Sequence, residues 1–219
     1  MTTVFDIDAG LVSLSASGGA IAALPPDARD KLMAYITLLV KWNATYNLTA
    51  IREPERMLTH HVLDGLAVLP HLPDVAARPD LRVLDVGSGG GVPAIPLAVA
   101  RPGWRVVALD SNHKKGAFLQ QTVIELPLPN AEVVIARVED YVPAAPFDIV
   151  ISRAFSDLAT FVDTSARHLA PGGQLIAMKG VFPDEEIALL PSTVRVVATP
   201  ALKVPGLDAE RHLIVMTRA

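Results

Sequence analysis

Residues 83–93 read Val-Leu-Asp-Val-Gly-Ser-Gly-Gly-Gly-Val-Pro, an apolar run that leads directly into a turn with four glycines. The apolar run is typical of a strand buried in a parallel sheet, and residues 94–100 continue with the composition of a helix. Glycines in a strand-to-helix turn let the backbone approach a ligand closely, whereas a flexible turn rarely needs so many of them. The segment therefore predicts a binding loop for a nucleotide-type cofactor.

The spacing of this loop leaves two cofactor classes open. No Gly-Lys-Ser/Thr follows the glycines, which excludes a P-loop nucleoside triphosphatase. Residues 89–94 satisfy the G-x-G-x-x-A pattern of nicotinamide enzymes, and Asp110 lies about 20 residues further on, as that pattern expects. Asp85 stands just before the glycines, however, where a carboxylate repels a pyrophosphate and attracts an amino group or a sulfonium. The chemistry favours S-adenosylmethionine, with Asp110 accepting from both ribose hydroxyls and Val138 and Glu139 meeting the adenine.

Around this loop, short apolar runs alternate with helical patterns, which is typical of a doubly wound parallel sheet covered on both faces. The predicted strands cover residues 81–87, 104–110, 132–137, 147–153 and 174–179. The predicted helices cover 94–100, 114–126 and 157–169, with a single turn after Glu139. Two later runs, 194–199 and 212–217, are joined without a helix and predict a closing antiparallel hairpin.

The N-terminal part of the chain has a different pattern. Helical spacing of apolar residues predicts two helices, 26–41 and 54–72, separated by a polar and aromatic connector over 42–49. Residues 1–25 are rich in Ala, Ser and Gly and predict a flexible, weakly packed leader. We therefore expect three parts: a leader (1–25), a helical cap (26–77) and an α/β domain (78–219).

The composition of the 219 residues, 51% hydrophobic and 19% charged, excludes a disordered or fibrous protein. The chain has no cysteine, which excludes disulfides, thiolate zinc sites and cysteine nucleophiles and fits a reducing, cytoplasmic compartment. The uncharged stretch 9–26 contains serines and glycines and ends in Pro25-Pro26, so we expect no membrane span. No Lys or Arg precedes Arg29, so a secretory signal peptide is not expected either.

Positively charged residues follow the predicted strands one after another. Lys114 and Lys115 follow the second strand, Arg137 ends the third, Arg153 the fourth and Lys179 the fifth. Because the carboxyl ends of parallel strands share one edge of a sheet, these cations should converge on the mouth of the cofactor site. The net charge of −4 argues against a nucleic-acid surface over the whole protein. A positive rim therefore predicts local contact with a polyanion such as RNA.

The sequence contains no convincing catalytic dyad or metal site. Ser88 lacks the glycine two residues earlier that a nucleophile elbow requires, and no H-E-x-x-H motif is present. His60 and His61 are adjacent on a predicted helix and point to different faces, so we interpret them as packing or surface residues. No metal is expected.

Several motifs together indicate a known family. The glycine loop 85–97 is followed by 109–115 (Leu-Asp-Ser-Asn-His-Lys-Lys), 137–139 (Arg-Val-Glu), 151–155 (Ile-Ser-Arg-Ala-Phe), 178–180 (Met-Lys-Gly) and 210–213 (Glu-Arg-His-Leu). Upstream lie 41–43 (Lys-Trp-Asn), 46–49 (Tyr-Asn-Leu-Thr) and 61–64 (His-Val-Leu-Asp). From about residue 28 to 218, the chain closely resembles the bacterial small-subunit ribosomal RNA guanine-N7 methyltransferase G family, also called glucose-inhibited division protein B. The segment 151–155 and the connector are the most particular to this family.

The resemblance implies a class I S-adenosylmethionine-dependent methyltransferase fold, Rossmann-like with a seven-stranded, mostly parallel sheet. It implies that N7 of one guanine, in a hairpin of 16S ribosomal RNA in the decoding region, accepts the methyl group. It also implies cofactor contacts by Gly87, Val92, Val138, Glu139 and Arg153. Two positions depart from the family pattern, because Ala94 stands for a usual glycine and Asn112 for a usual leucine.

The residues and the resemblance together define the expected site. The cofactor set is Asp85, Gly87, Gly89, Gly91, Val92, Asp110, Ser111, Val138, Glu139 and Arg153, and the product cofactor is S-adenosylhomocysteine. The RNA set is Lys114, Lys115, Arg137, Lys179, Arg211 and His212, of which Arg137, Lys179 and Arg211 are candidates for positioning the acceptor. Guanine N7 carries an exposed lone pair, so no general base is needed and alignment carries the catalysis. We expect a cytoplasmic monomer that acts on 16S rRNA or the small ribosomal subunit.

Overall fold

The computed structural model describes residues 7–18, 24–73, 78–153 and 155–219. Within these residues, one sheet contains seven strands: β1 (Arg82–Val86), β2 (Arg105–Asp110), β3 (Ala131–Ile135), β4 (Phe147–Ser152), β5 (Leu169–Lys179), β6 (Val194–Ala198) and β7 (His212–Arg218). Their order is β3-β2-β1-β4-β5-β7-β6. Strands β1 to β5 are parallel, and β7 is antiparallel to both β5 and β6. The predicted doubly wound sheet with a closing hairpin is confirmed.

Helices cover both faces of this sheet. They are α1 (Ile7–Gly18), α2 (Ala28–Tyr46), α3 (Pro54–Met57), α4 (Asp64–Leu66), α5 (Ala94–Ala100), α6 (His113–Glu125), α7 (Leu158–Ser165) and α8 (Asp184–Ala188). A π-helical turn (Leu58–Leu63) and two 3-10 turns (Leu69–His71 and Ala166–His168) complete the helical elements of the described chain. None of the described helices is both long and apolar enough to cross a membrane.

The order of the strands places the ligand crevice. The chain runs outward from β1 to β2 and β3 and then returns to the other side of β1 with β4, where Val83 lies beside Ile149. In open parallel sheets, ligands bind at the carboxyl ends of the strands where this reversal occurs. Alternate residues of β1 pack on opposite faces, Val83 with the helical cap and Leu84 with α7, so the strand that carries the glycine loop is buried on both sides.

The structure differs from the prediction in the leader. Helix α1 lies within residues 1–25, and its Ile7 and Leu14 are buried in the core of the cap. Ile7, Leu11 and Leu14 do recur at the i, i+4, i+7 spacing of a helix, but the prediction followed the high content of Ala, Ser and Gly instead. Residues 1–6 and 19–23 lie outside the described residues, and the division into three parts stays a prediction.

The predicted connector over 42–49 is wrong in its first half, because α2 continues to Tyr46. The ring of Trp42 packs edge-on against Phe118 at 5.7 Å, so an aromatic residue that suggested a loop belongs to the buried side of the helix. The buried side chain of Asn43 donates to the carbonyl of Ile51 at 3.0 Å and accepts from the amide of Thr49 at 2.9 Å. This single amide therefore closes the turn after α2.

Other boundaries differ where local backbone features interrupt a pattern. The predicted helix 54–72 is divided by the π-helical turn, and the predicted helix 157–169 ends as α at Ser165. Strand β5 begins at Leu169 rather than at residue 174, with a register shift against β4 near Phe147. The short helix α8 was not predicted.

Candidate active site

The glycine loop joins β1 to α5 and is held from two sides. The amides of Gly87 and Ser88 both donate to the carbonyl of Leu109 in β2, at 2.8 and 3.0 Å. From the helical cap, the buried hydroxyl of Tyr35 donates to the carbonyl of Gly90 at 2.5 Å. The loop is therefore a fixed surface that both the sheet and the cap support.

Two glycines of the loop are required for different reasons. Gly87 has a φ of +74°, and a Cβ there would meet nothing within 4 Å. The backbone at Gly87 thus faces open space, as a cofactor-binding loop requires. Gly91 has a φ of +94°, and its Cβ would lie 2.6 Å from Cγ1 of Ile95 and 3.0 Å from Cδ2 of Leu119. Gly91 is therefore required by packing as well as by conformation.

Asp85 lies beneath the loop at the end of β1 and is fully buried. Its Oδ2 accepts from the backbone N–H of Ala94, the first residue of α5, at 3.1 Å. Its Oδ1 is buried and has no hydrogen-bond partner in the described part of the chain. Burial raises the pKa of Asp85 to about 7. A buried carboxylate oxygen without a partner is an acceptor that a cationic ligand group can satisfy.

The raised pKa of Asp85 predicts how the stability of the unliganded protein depends on pH. Between pH 3.8, the ordinary value, and about 7, the unfolded chain has lost the proton that the folded protein still holds. The contribution of Asp85 to the free energy of unfolding therefore falls as pH rises through this window, by roughly 4 kcal/mol, and is level above it. In urea titrations from pH 4 to 8, the free energy of unfolding of Asp85→Asn should not show this decline.

The pH dependence of the stability of Asp85→Asn must be compared with that of the wild type. A second buried group, His61, changes the stability with pH in the opposite direction. Burial lowers the pKa of His61 to about 3, so its contribution to stability rises with pH up to its ordinary value of 6.5. That contribution is common to both proteins and cancels in the difference. Curves of equal slope for Asp85→Asn and wild type would show that the carboxyl group is already ionised at low pH.

Asp110 ends β2 and closes the other side of the loop. Its Oδ2 accepts from the amide of Gly89 and its Oδ1 from the amide of Asn112, both at 2.8 Å. Each oxygen has further lone-pair capacity, so the carboxylate can still accept from two hydroxyls. Asn112, a departure from the family pattern, caps α6 by accepting from the amides of Lys114 and Lys115 at 2.9 and 3.3 Å.

A cavity of about 220 Å³ opens beside Asp110 at the carboxyl ends of β1, β2 and β3. It is lined by Val86, Gly87, Leu109, Asp110, Ser111, Ala136, Arg137, Val138, Glu139 and Phe155. The structure thus brings together Gly87, Asp110, Ser111, Val138 and Glu139 from the expected cofactor set. The cavity wall does not include Asp85, Gly89, Gly91, Val92 or Arg153. Apolar walls together with the carboxylates of Asp110 and Glu139 suit an adenosine group.

Arg153 follows β4 and contacts the helical cap. Its Nη1 donates to the carbonyl of His60 at 2.6 Å and lies 3.4 Å from Oδ2 of Asp64. Oδ1 of Asp64 accepts from Nε of Arg211 at 3.2 Å. Two arginines that are distant in sequence therefore share one carboxylate, which is 1% exposed.

Three cations of the expected RNA set lie close to carboxylates. The ammonium of Lys179 contacts both carboxylate oxygens of Glu186 in α8, at 3.0 and 2.7 Å. Arg211 is paired with Asp64, and the ammonium of Lys115 lies 3.9 Å from Asp110. Arg211 and Asp64 are 147 positions apart, and the other two pairs form across turns that lack a regular spacing, so sequence analysis did not detect that these charges are compensated.

The remaining members of the RNA set are more accessible. Lys114 and Arg137 are exposed, and Arg137 also lines the cavity. His212 is half-buried, and its Nδ1 donates to the carbonyl of Gly180 at 2.8 Å. Among the described residues, no group of three His, Asp or Glu side chains is placed to hold a metal ion.

The geometry separates the two cofactor classes that the spacing left open. A dinucleotide needs free amides at the start of α5 for its pyrophosphate, but the Ala94 amide already donates to Asp85. The unpartnered Oδ1 of Asp85, the open side of Gly87 and the cavity beside Asp110 fit S-adenosylmethionine instead. With the sheet order and the antiparallel β7, these features define a class I S-adenosylmethionine-dependent methyltransferase.

Comparison with known proteins gives the family. The family model described as rRNA small subunit methyltransferase G matches residues 28–214, and the chain belongs to this family. Proteins named ribosomal RNA small subunit methyltransferase G from Chromobacterium violaceum and Laribacter hongkongensis are similar to it. The first is 57% identical over 85% of this chain and 87% of its own length. The second is 54% identical over 95% of each.

Solved structures share the fold. TrmN from Thermus thermophilus superposes with a TM-score of 0.54 and 19% identity, over 71% of this chain and 48% of its own. A SAM-dependent methyltransferase from Aquifex aeolicus superposes with a TM-score of 0.51 and 20% identity, over 62% of this chain and 81% of its own. At these identities the likeness concerns the fold alone, and it agrees with the class that the site defines.

Several residues of the site were not assigned a role from the sequence. Tyr35 supports the loop, Asp64 holds two arginines, Phe155 lines the cavity and Glu186 pairs with Lys179. Phe155 and Asp64 stood in motifs typical of the family, but no spacing rule gave them a function. Ala154, within the same motif as Phe155, lies outside the described residues.

Proposed function

We propose that the protein transfers the methyl group of S-adenosylmethionine to N7 of one guanine in a hairpin of 16S ribosomal RNA, in the decoding region. The observation that carries the proposal is the match of the rRNA small subunit methyltransferase G family over residues 28–214. It is supported by a donor site whose acidic groups lie beneath and beside the glycine loop. Bound S-adenosylmethionine would supply a sulfonium methyl group that a neutral nitrogen can attack.

Different residues of the donor site bind different parts of the cofactor. Gly87 and Gly91 shape the loop, and Asp85 offers its unpartnered oxygen to the cationic end of the donor. Asp110, with the neighbouring Ser111, binds the ribose hydroxyls. Val138 and Glu139 face the adenine across the cavity, Gly89 and Val92 hold the loop against its neighbours, and Arg153 binds the cofactor carboxylate.

The RNA is held by cations at the same edge of the sheet. Lys114 and Arg137 are exposed and bind phosphates directly, with Lys115 beside them. On the other side of β1, Lys179 ends β5, Arg211 precedes β7 and His212 begins β7. Because Lys179 and Arg211 are paired with carboxylates, RNA phosphates must compete with Glu186 and Asp64 for them.

The catalytic contribution of the chain is alignment. N7 of guanine has an in-plane lone pair and loses no proton before it attacks, so no side chain has to act as a general base. Well-oriented reactants gain effective molarities of about 10⁵ M or more, which is sufficient for positioning to carry much of the rate. The target guanine must expose its Hoogsteen edge, which costs less in a hairpin loop than within a duplex.

Methyl transfer to defined substrates tests this function. Purified protein is incubated with methyl-labelled donor and with small ribosomal subunits from a strain that lacks the enzyme. We expect one label per subunit, mapped by nuclease digestion and mass spectrometry to a single guanine in a hairpin. Subunits from a strain that contains the enzyme are the matched control and should accept little label. Label in ribosomal protein, in a small molecule or in no product would contradict the proposal.

Two further properties follow from an rRNA substrate. We propose that the reaction takes place in the cytoplasm, where ribosomes assemble, and that a single chain is the active unit. Light scattering at the concentration of the assay should give the mass of a single chain.

A further inference from the structure

Asp64 lies where the helical cap meets the edge of the sheet. It follows directly on the π-helical turn Leu58–Leu63 and begins α4. Its carboxylate is 1% exposed and contacts Arg153, which follows β4, and Arg211, which precedes β7. The cap and two separate segments of the α/β domain therefore meet at this one side chain.

The charges of this cluster do not balance. Arg153 and Arg211 carry two positive charges against the one negative charge of Asp64, and their side chains are 28% and 22% exposed. Positive charge that is partly removed from water favours an anionic ligand. The carboxylate of the cofactor, which we assign to Arg153, has the required charge.

The geometry also fixes the position of Arg153. Its Nη1 is engaged by the carbonyl of His60 at 2.6 Å and by Asp64 at 3.4 Å. Both contacts come from the cap, on adjacent turns of the interrupted helix. A guanidinium is planar, so engagement of one nitrogen from two sides sets the direction of the others.

We propose that Asp64 is a positioning residue for methyl transfer. It holds Arg153 in the orientation that binds the cofactor carboxylate. It also contacts Arg211, which belongs to the proposed RNA-binding set. This inference rests on the proposed cofactor role of Arg153. Asp64 itself touches no substrate, so its effect on binding passes through the arginine.

A double-mutant cycle tests this coupling. Binding of S-adenosylhomocysteine to the full chain is measured by calorimetry for wild type, Asp64→Asn, Arg153→Gln and the double variant. Asp64→Asn should weaken binding about tenfold in the wild-type background and less than twofold in the Arg153→Gln background, because Asp64 acts through Arg153. The exposed Asp163→Asn in α7 is the control and should bind as the wild type does.

Loss of the Asp64 carboxylate leaves Arg153 and Arg211 with carbonyl partners only, so Asp64→Asn can be too unstable to give a cooperative unfolding transition. In that case Arg211→Gln and Asp64→Asn/Arg211→Gln are compared, because the double variant restores the wild-type net charge of the cluster. The double variant should again bind about tenfold more weakly than Arg211→Gln alone.

Equal affinities within twofold, or equal weakening with and without Arg153, would overturn the positioning role. That outcome leaves the proposed function intact, because the wild type still binds S-adenosylhomocysteine and methylates the small subunit. If the wild type binds S-adenosylhomocysteine but transfers no methyl group to rRNA, the proposed function fails, whatever the double-mutant cycle gives.

Discussion

Asp110→Ala should weaken the binding of S-adenosylhomocysteine by about 100-fold. In the proposed site, this carboxylate accepts hydrogen bonds from two ribose hydroxyls. Hydrogen bonds to a charged group contribute about 1.5 to 3 kcal/mol each, so the loss of two corresponds to at least about 100-fold in affinity. The substitution also removes the acceptor that holds the amide of Gly89 at 2.8 Å, so the loop itself becomes less ordered. Calorimetric titration of the purified variant measures the effect.

A matched control separates ligand binding from stability. Asp148 in β4 also accepts from a backbone amide, that of Arg82 at 2.9 Å, and pairs with Arg78 at 2.6 Å. It lies near the amino end of its strand, at the opposite edge of the sheet from the glycine loop. Asp148→Ala should lower the melting temperature but leave the affinity for S-adenosylhomocysteine unchanged. If both variants bound equally well, Asp110 would not be part of the cofactor site.

Gly91→Ala should destabilise the protein by about 3 kcal/mol, which lowers the melting temperature by roughly 10 °C in a chain of this length. A residue other than glycine at positive φ costs about 1 kcal/mol or more. The added Cβ would also lie 2.6 Å from Cγ1 of Ile95 in α5, so the helix and the loop would have to move apart. Because the loop moves, binding of S-adenosylhomocysteine should weaken in the same variant.

Gly172→Ala is the control variant for Gly91→Ala, because it introduces backbone strain without close packing. Gly172 has a φ of +76°, and its Cβ would meet nothing within 4 Å. Only the conformational cost applies there, so we expect a loss of about 1 kcal/mol and no change in cofactor affinity. Equal melting temperatures for the two variants would mean that close packing behind the loop does not restrict Gly91.

The fold could be predicted from the sequence where one structural element produces one local pattern. Strands β1, β2 and β4 are continuous apolar runs, and the structure places each within one or two residues of the predicted range. The glycine loop and the carboxylates beside it are also local features. For this reason Gly87, Asp110, Ser111, Val138 and Glu139 were predicted as one group, and the structure brings them to one cavity.

Features that depend on tertiary contacts rather than on a local pattern could not be predicted. The compensation of Lys179 depends on Glu186 in a short helix that has no apolar stripe. The contact between Asp64 and Arg211 joins residues 147 positions apart. The π-helical turn that precedes Asp64 has no recognised sequence pattern, so the interruption of the second predicted helix could not be anticipated either.

In the proposed reaction, the site aligns a guanine N7 with a methyl donor held by buried carboxylates. Nucleoside analysis tests it most directly. Small-subunit rRNA methylated by the purified protein is digested completely, and the labelled nucleoside is compared by chromatography and mass spectrometry with authentic methylated guanosines. We expect 7-methylguanosine as the labelled product. A methyl group on N1, N2, a ribose oxygen or another base would contradict it, because a donor site without a general base could not then explain the reaction.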